Sequence, residues 1–448
     1  MARSSLARPS PIALSLLLGL AACSTPDSSP SATPEAASAQ SKPEDLARAA
    51  ELDDARAQLL LATMLYEGQG MAQDRAQAAR WYRRAAEQGL PEAQCALAVM
   101  LEQGEQMERD EAQAVEWHRR AAEQGYARSQ HNLGLLLIAG RGTSANVEEG
   151  QKWLRRAALQ GVPEAQLALG LAYARDPQSN EEERRYAAAW LQHAAQQGLV
   201  QAQLALVEMY ANGVCVERSE SESARWLEAA ARQGEPEAQA RLGLAYLEGR
   251  GVQRDSATGE QWLRTAAVQG AALAQVNLGI LYSRGDVLAR NPAEAARWHA
   301  RAAEQGVPQS QMSLGLMLLE GDGVAKDPQA GILWLRKAAD SGLALAQHNL
   351  ALAYLQGNGV AEDPVESARW FTLAAQQGLA VAQARLGAMH EYGKGVAQDD
   401  ALAHAWYSLA LAGGQKNAAE RIAALEKRMS PEQLARAAEL APTLVRRN

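Results

Sequence analysis

Residues 238–270 read AQARLGLAYLEGRGVQRDSATGEQWLRTAAVQG, and this stretch determines the fold of the whole chain. Apolar residues recur every three or four positions over 238–246, which is typical of one face of an α-helix. Gly249 then predicts the end of that helix and a tight turn, because glycine adopts positive φ at little cost. Trp262 follows on a second helix, which Gly270 ends. The stretch therefore predicts two short helices joined by a turn.

The same pattern recurs through the chain at a fixed period. Each unit has one Trp, a Gly eight residues after it, a small residue three residues before it and a Gln near its start. The Trp positions are 36 residues apart except for one interval of 37: Trp81, Trp117, Trp153, Trp190, Trp226, Trp262, Trp298, Trp334, Trp370 and Trp406. Such a period indicates a solenoid, in which each repeat packs only on its neighbours. We expect the indoles to be enclosed in the stack, so that Trp262→Ala would destabilise the protein by several kcal/mol.

The repeat pattern is specific enough to suggest a family. The run Ala-Gln-x-x-Leu-Gly-x-x-Tyr-x-x-Gly-x-Gly-Val, followed by Ala-x-x-Trp-x-x-x-Ala-Ala-x-x-Gly, resembles the Sel-one-like repeat, a relative of the tetratricopeptide repeat. The resemblance covers residues 44–414. It implies an all-α fold, an α-solenoid in which about ten antiparallel helix pairs form a right-handed superhelix. It also implies a scaffold or adaptor that binds other proteins, with no enzymatic activity and no cofactor.

The two ends of the array depart from the repeat. Leu46 to Ala50 match the tail of a second helix without its Trp, so residues 44–414 are predicted to hold a half-repeat cap followed by ten repeats. Residues 415–448 read as capping helices, the last of which has Ser430 as its N-cap. Within the array, three repeats replace the second turn glycine, by Gln106, Cys215 and Val287, and the fourth repeat has lost both turn glycines in the divergent loop 176–183.

The N-terminal segment is typical of a targeting sequence. Residues 1–22 carry arginines followed by an apolar run. That run is shorter than the roughly 20 apolar residues that cross a bilayer, so it predicts a secretory signal peptide. Residues 23–43 are rich in Ser, Pro, Thr and Ala, which favours a disordered tether.

The junction Leu20-Ala21-Ala22-Cys23 resembles the lipobox of bacterial lipoproteins. The resemblance implies cleavage before Cys23 and acylation of its sulfur, which would anchor the chain by lipid alone. In that family, lipoproteins with Asp directly after the acylated Cys are retained in the inner membrane. This chain has Ser24 at that position. The expected location is therefore the periplasmic face of the bacterial outer membrane.

A candidate binding groove follows from the first helices, which line the concave face in relatives. The slot two residues after the repeat Leu is apolar in eight of ten units, and an Asn precedes that Leu in three units. The candidate residues are Asn132, Leu135, Leu244, Asn277, Ile280, Leu316, Asn349 and Leu352. If they face the groove, it suits a helical or extended segment of another envelope protein. Alternatively, they pack against the next repeat.

Nucleic acid and small-molecule chemistry are both disfavoured. The net charge is −8, which repels the phosphates of nucleic acid. The sequence contains no stripe of basic residues that would bind them. No Ser-x-x-Lys occurs, which argues against a β-lactamase-like hydrolase, the least favoured alternative. His390 and Glu391 begin a zinc-protease motif that Lys394 breaks, and no metal site is expected.

The remaining histidines and cysteines are predicted to be structural. His118 and His299 each follow a repeat Trp, and we expect them on a recurring exposed face. Cys95 and Cys215 lie three repeats apart, too far for a disulfide, so we expect free thiols. A further alternative function is assembly of an exopolysaccharide or other envelope export complex, since some repeat lipoproteins of this architecture support such export. The tryptophans, already used by the repeat, argue against direct binding of sugar.

Overall fold

A computed structural model describes residues 43–175 and 180–445, and this part of the chain contains helices and no strand. The predicted signal peptide, Cys23 and all but the last residue of the predicted tether lie outside it. The all-α repeat fold expected from the sequence is confirmed. The described residues fall into two compact units, one up to Gln233 and one from Gly234 onward.

The first unit contains a single helix and five helix pairs. Its helices are α1 Pro43–Glu51, α2 Ala55–Glu67, α3 Arg75–Glu87, α4 Pro91–Gln103, α5 Glu111–Glu123, α6 Ala127–Ala139, α7 Val147–Leu159, α8 Pro163–Arg175, α9 Glu181–Gln196, α10 Val200–Asn212 and α11 Glu220–Arg232. Each helix packs on the next one along the chain.

The second unit continues with five helix pairs and two shorter helices. Its elements are α12 Pro236–Glu248, α13 Ser256–Val268, α14 Ala272–Arg284, α15 Pro292–Glu304, α16 Pro308–Glu320, α17 Pro328–Asp340, α18 Ala344–Gln356, α19 Pro364–Gln376, α20 Ala380–Tyr392, α21 Asp400–Ala412, α22 Ala418–Glu426, α23 Pro431–Leu440 and a 3-10 turn Ala441–Thr443. Ser430 caps α23 as predicted, and Gln433 returns the bond to the Ser430 backbone.

Local chemistry sets the ends of each helix pair. The first helix of repeat six, α12, ends at Gly249, which has φ 72° and donates its N–H to the Ala245 carbonyl. The second helix, α13, begins after Asp255, whose carboxylate accepts from two backbone N–H groups of the first turn. These caps satisfy backbone groups that would otherwise lack partners at the helix ends.

The second turn glycine allows a close approach between repeats. A Cβ at Gly323 would lie 2.2 Å from the carbonyl oxygen of Pro292 on the preceding repeat, so only glycine fits there. Gln106 and Cys215 replace this glycine and still adopt φ of 58° and 60°. A non-glycine residue with positive φ is strained, so tertiary packing holds both residues in this conformation.

The core of each repeat is built on the residue that follows the Trp. All ten of these side chains are buried: Tyr82, His118, Leu154, Leu191, Leu227, Leu263, His299, Leu335, Phe371 and Tyr407. A Gly or Ala on the first helix makes room for each of them except in repeat five, which has Val207 at this position. A Cβ added at Gly243 would lie 2.8 Å from Cγ of Leu263, so the two helices approach more closely than larger residues would permit.

The tryptophans themselves are less enclosed than the sequence suggests. Trp153, Trp226, Trp298 and Trp406 are buried, but the other six are half-buried, including Trp262. The expectation of ten enclosed indoles is therefore wrong for six of them. The physical reason is helical geometry: neighbouring residues point about 100° apart, and the residue after the Trp takes the direction into the core. We accordingly expect Trp262→Ala to cost less than truncation of a fully buried ring.

Candidate binding surface and buried polar clusters

Six of the eight candidate groove residues keep part of their surface exposed. Asn132, Leu135, Ile280, Leu316, Asn349 and Leu352 are half-buried. Leu244 is 2% exposed and packs in the core of its own unit, and Asn277 is fully buried. The amide of Asn277 donates to the Leu273 carbonyl of its own helix at 2.8 Å. These last two positions are closed to a partner in this arrangement.

Each half-buried leucine of the candidate groove has one part of its surface packed in the repeat stack and another part exposed. Leu135, Leu316 and Leu352 each pack against a buried cluster that combines residues of their own repeat with residues of the following repeat. Their remaining surface is exposed, so packing between repeats and contact with a partner are compatible at these positions. Asn132 and Asn349 add side-chain amides to the same stripe of first-helix residues, and an amide can pair with a peptide backbone.

A ladder of buried glutamines joins successive repeats, a role for the repeat Gln that its position in the sequence pattern alone does not predict. In repeat three, Nε2 of Gln130 donates to the Ala122 carbonyl at the end of the preceding helix, at 3.1 Å. Oε1 of Gln130 then accepts from Nε2 of Gln160, 30 residues later, at 2.8 Å. Each buried amide thus satisfies a helix-end carbonyl and fixes how one helix sits on the next.

The ladder recurs in most repeats, at a spacing of 30 residues, or 31 in repeat four. The second bond joins Gln88 to Gln58, Gln124 to Gln94, Gln197 to Gln166, Gln233 to Gln203, Gln269 to Gln239, Gln305 to Gln275 and Gln377 to Gln347. Ser341 and Gly413 replace the later glutamine in repeats eight and ten. A second glutamine 30 residues after the first was the signal that could have revealed the ladder.

His118 and His299 are buried, which corrects the expectation that they lie on an exposed face. They are 0% and 1% exposed because they occupy the core slot after the Trp. Nδ1 of His299 lies 3.1 Å from the Ser310 hydroxyl, and burial lowers the pKa of His299 to about 4. This imidazole is therefore neutral at pH 7.

His118 occupies the same position in repeat two but lies next to a carboxylate, that of Glu102. Its Nε2 lies 2.9 Å from Oε1 of Glu102, and its Nδ1 lies 3.2 Å from the Ser129 hydroxyl. Burial disfavours the charged ring, but hydrogen bonds with Cys95 and Glu102 outweigh burial and raise the pKa of His118 to about 9. The carboxylate of Glu102 also lies 3.8 Å from Arg141. The cluster is a buried ion pair, and its groups are too enclosed to meet a substrate.

Glu391 plays a comparable structural part beneath the last helices. It is 4% exposed, accepts from the Tyr407 hydroxyl at 2.9 Å and pairs with Arg421 at 2.6 Å. This pairing ties α22 to the last repeat. The carboxylate that began the resemblance to a zinc-protease motif is thus occupied by its own neighbours.

Other chemical features remain sparse over residues 43–175 and 180–445. Cys95 and Cys215 are free thiols, as expected. No group of three or more His, Cys, Asp or Glu in this part of the chain is arranged to hold a metal ion. No helix there is both long and apolar enough to cross a membrane.

Comparison with known families assigns every repeat. The Sel1 repeat model matches ten successive stretches, at residues 55–90, 91–126, 127–162, 163–199, 200–235, 236–270, 272–307, 308–343, 344–379 and 380–415. No curated protein matches the chain.

Two solved structures share both fold and sequence with the chain. One is a protective antigen present in uropathogenic Escherichia coli strains, which displays an SLR fold; it is 34% identical with a TM-score of 0.72, over 90% of this chain and 86% of the other. The second is a Sel1 repeat protein from Oxalobacter formigenes, 31% identical with a TM-score of 0.54, over 76% of this chain and 99% of the other.

Proposed function

Because the chain belongs to the Sel1 repeat family, whose members generally act as protein-interaction scaffolds, we propose that it is a scaffold held at the bacterial outer membrane by a lipid on Cys23. It binds segments of other envelope proteins along the first helices of its repeats. We assign it no catalytic step, as is typical of this solenoid fold.

The observation that carries this proposal is the half-buried stripe on the first helices. Ile280, Leu316 and Leu352 recur at one slot in three successive repeats of the second unit, and Asn349 lies beside them. Apolar side chains spaced by whole repeats suit the apolar face of a helix or the alternate residues of an extended peptide. Asn349 can pair with polar backbone groups of such a segment. The similar E. coli protein is a protective antigen, which supports a position in the cell envelope.

A pair of charge substitutions tests the groove. Leu316→Glu with Leu352→Glu places two carboxylates in the stripe, and we expect it to abolish crosslinking of the envelope proteins that the wild-type chain captures. Leu333→Glu is the matched control, because Leu333 is 63% exposed on a second helix of the same unit. Captured proteins are identified by mass spectrometry after crosslinking in native envelopes. Equal loss from the control, or unchanged capture by the double variant, would refute the groove.

Membrane attachment is tested at the proposed lipid site. We expect Cys23→Ala to move the protein from the membrane fraction to the soluble periplasmic fraction, because the acyl chains supply the attachment. Cys215→Ala removes a thiol without touching that site and should leave the protein in the membrane fraction. Fractionation followed by immunoblotting is the measurement, and a membrane-bound Cys23→Ala variant would contradict the anchor.

A further inference from the structure

Helix α18 presents a polar side chain between two apolar ones on the side that the proposed groove uses. Leu345, Asn349 and Leu352 are four and three residues apart, so they lie on one side of the helix. Leu345 is 44% exposed, and Asn349 and Leu352 are half-buried. Asn277, at the same slot two repeats earlier, is bonded within its own helix. The side-chain amide of Asn349, in contrast, has no hydrogen-bond partner in the part of the chain that the structure describes.

Helix α20 continues this surface in the next repeat. Val381 and Arg385 fill the corresponding slots, an apolar residue followed by a polar one. Arg385 is exposed and forms no ion pair with any carboxylate that the structure describes. Its charge reaches α18, because burial and then the positive charge of Arg385 lower the pKa of His348 there. Leu352 packs against the buried cluster that contains Leu386 of α20, so the two helices form one continuous surface.

No exposed carboxylate flanks this guanidinium on either helix. The sequence of α18 contains no acidic residue, and the single acid of α20, Glu391, is 4% exposed and paired with Arg421. The first unit differs, since Glu92 and Glu208 occupy slots that are apolar on α18. The surface of α18 and α20 is therefore apolar at its edges, with a free amide and an unpaired cation between them.

We propose that the α18–α20 face, made of Leu345, Asn349, Leu352, Val381 and Arg385, holds an extended segment of a partner protein that carries one carboxylate. An extended chain leaves its backbone N–H and C=O groups free, and the amide of Asn349 can both donate to them and accept from them. Successive side chains of such a segment point to opposite sides, towards Leu345 on one edge and Leu352 on the other. The carboxylate pairs with Arg385, because guanidinium and carboxylate form two parallel hydrogen bonds.

A bound helix fits the same face less well. The backbone groups of a helix bond one another, so its apolar side would cover Asn349 and Arg385 without supplying partners for them. A covered amide or guanidinium without a partner costs binding free energy. The extended segment is an occupant of the proposed groove, so its assignment rests on the proposed function and selects one of the two kinds of segment that the apolar slots admit.

The test uses the full chain and three synthetic peptides with blocked ends. The first alternates Leu and Gln and contains one Asp, the second has the same composition in the order of an amphipathic helix, and the third has Asn in place of the Asp. The variant Asn349→Leu, Arg385→Leu makes the middle of the face apolar, and it should fold because Leu60 fills this slot in repeat one. The control Arg254→Leu, Gln261→Leu removes one exposed guanidinium and one exposed amide elsewhere in the same unit. Fluorescence anisotropy gives the Kd values.

The wild-type chain and the control should bind the alternating peptide about tenfold or more tightly than the other two peptides, and the double variant should lose this preference. Equal or tighter binding of the helical peptide, or unchanged binding by the double variant, would overturn the extended mode and leave the apolar groove intact. If no peptide binds while capture of envelope proteins still depends on Leu316 and Leu352, the extended segment is refuted and the proposed function stands. If that capture is also independent of both leucines, both proposals fail.

Thermal melting checks that the double variant is folded. If it melts early, Asn349→Ala, Arg385→Ala replaces it, because alanine fills this slot in repeats two and four.

Discussion

Leu263→Ala is expected to lower the free energy of unfolding around repeat six by about 2–5 kcal/mol, the range measured for buried leucines. Leu263 is fully buried between the helices of its repeat, against Leu244 and Leu247. Its Cγ lies where a Cβ on Gly243 would come within 2.8 Å, so the backbone is already too close to collapse further into the cavity. The lost contacts would therefore remain largely unreplaced.

Local hydrogen exchange of α12 and α13 is the suitable measurement, because long repeat arrays need not unfold in one step. Trp262→Ala is the internal comparison: it removes a larger side chain from the adjacent position, yet we expect the smaller effect because the indole is half-buried. Val268→Ala on the same helix changes a side chain that is 70% exposed and should have almost no effect. If Trp262→Ala accelerated exchange more than Leu263→Ala, the assignment of the core slot would be wrong.

Glu102→Leu is expected to destabilise the first unit by about 3–5 kcal/mol, since it leaves the buried His118 without its counter-charge. The double variant Glu102→Leu, His118→Leu should recover most of that loss. It recreates the pair Leu247 and Leu263, which fills the same two slots in repeat six. A buried ion pair replaced by apolar residues of similar volume is often neutral or stabilising. Denaturant unfolding of the three chains measures the coupling, and simple additivity would contradict the ion pair.

The two buried histidines should also respond to pH in opposite ways. The pKa of His118 is raised to about 9 from 6.5, so its stabilisation is complete below pH 6.5 and is lost as the pH rises through 9. The pKa of His299 is lowered to about 4, so the unfolded chain takes up the proton first and stability falls as the pH drops from 6.5 towards 4. Imidazole NMR titration distinguishes the two rings. A common pKa near 6.5 would show that neither environment is as described.

The sequence could identify the proposed groove only in part. The candidate groove rests on a slot that the repeat pattern located, yet burial removes Leu244 and Asn277 from it and leaves Leu316 and Leu352 partly open. The difference depends on which side of a helix is covered by its neighbours.

The sequence by itself determined the repeat, its length, the helix ends and the family, because these follow from short-range chemistry: glycine at positive φ, capping side chains and a period of 36 residues. Only the tertiary structure decided which of two adjacent residues enters the core: Leu263 is fully buried, whereas Trp262 is half-buried. It likewise enclosed His118 and linked Gln130 to Gln160. Helical periodicity defines the buried face of a helix only to within one residue. The close approach of the paired helix determines which residue of that face is enclosed.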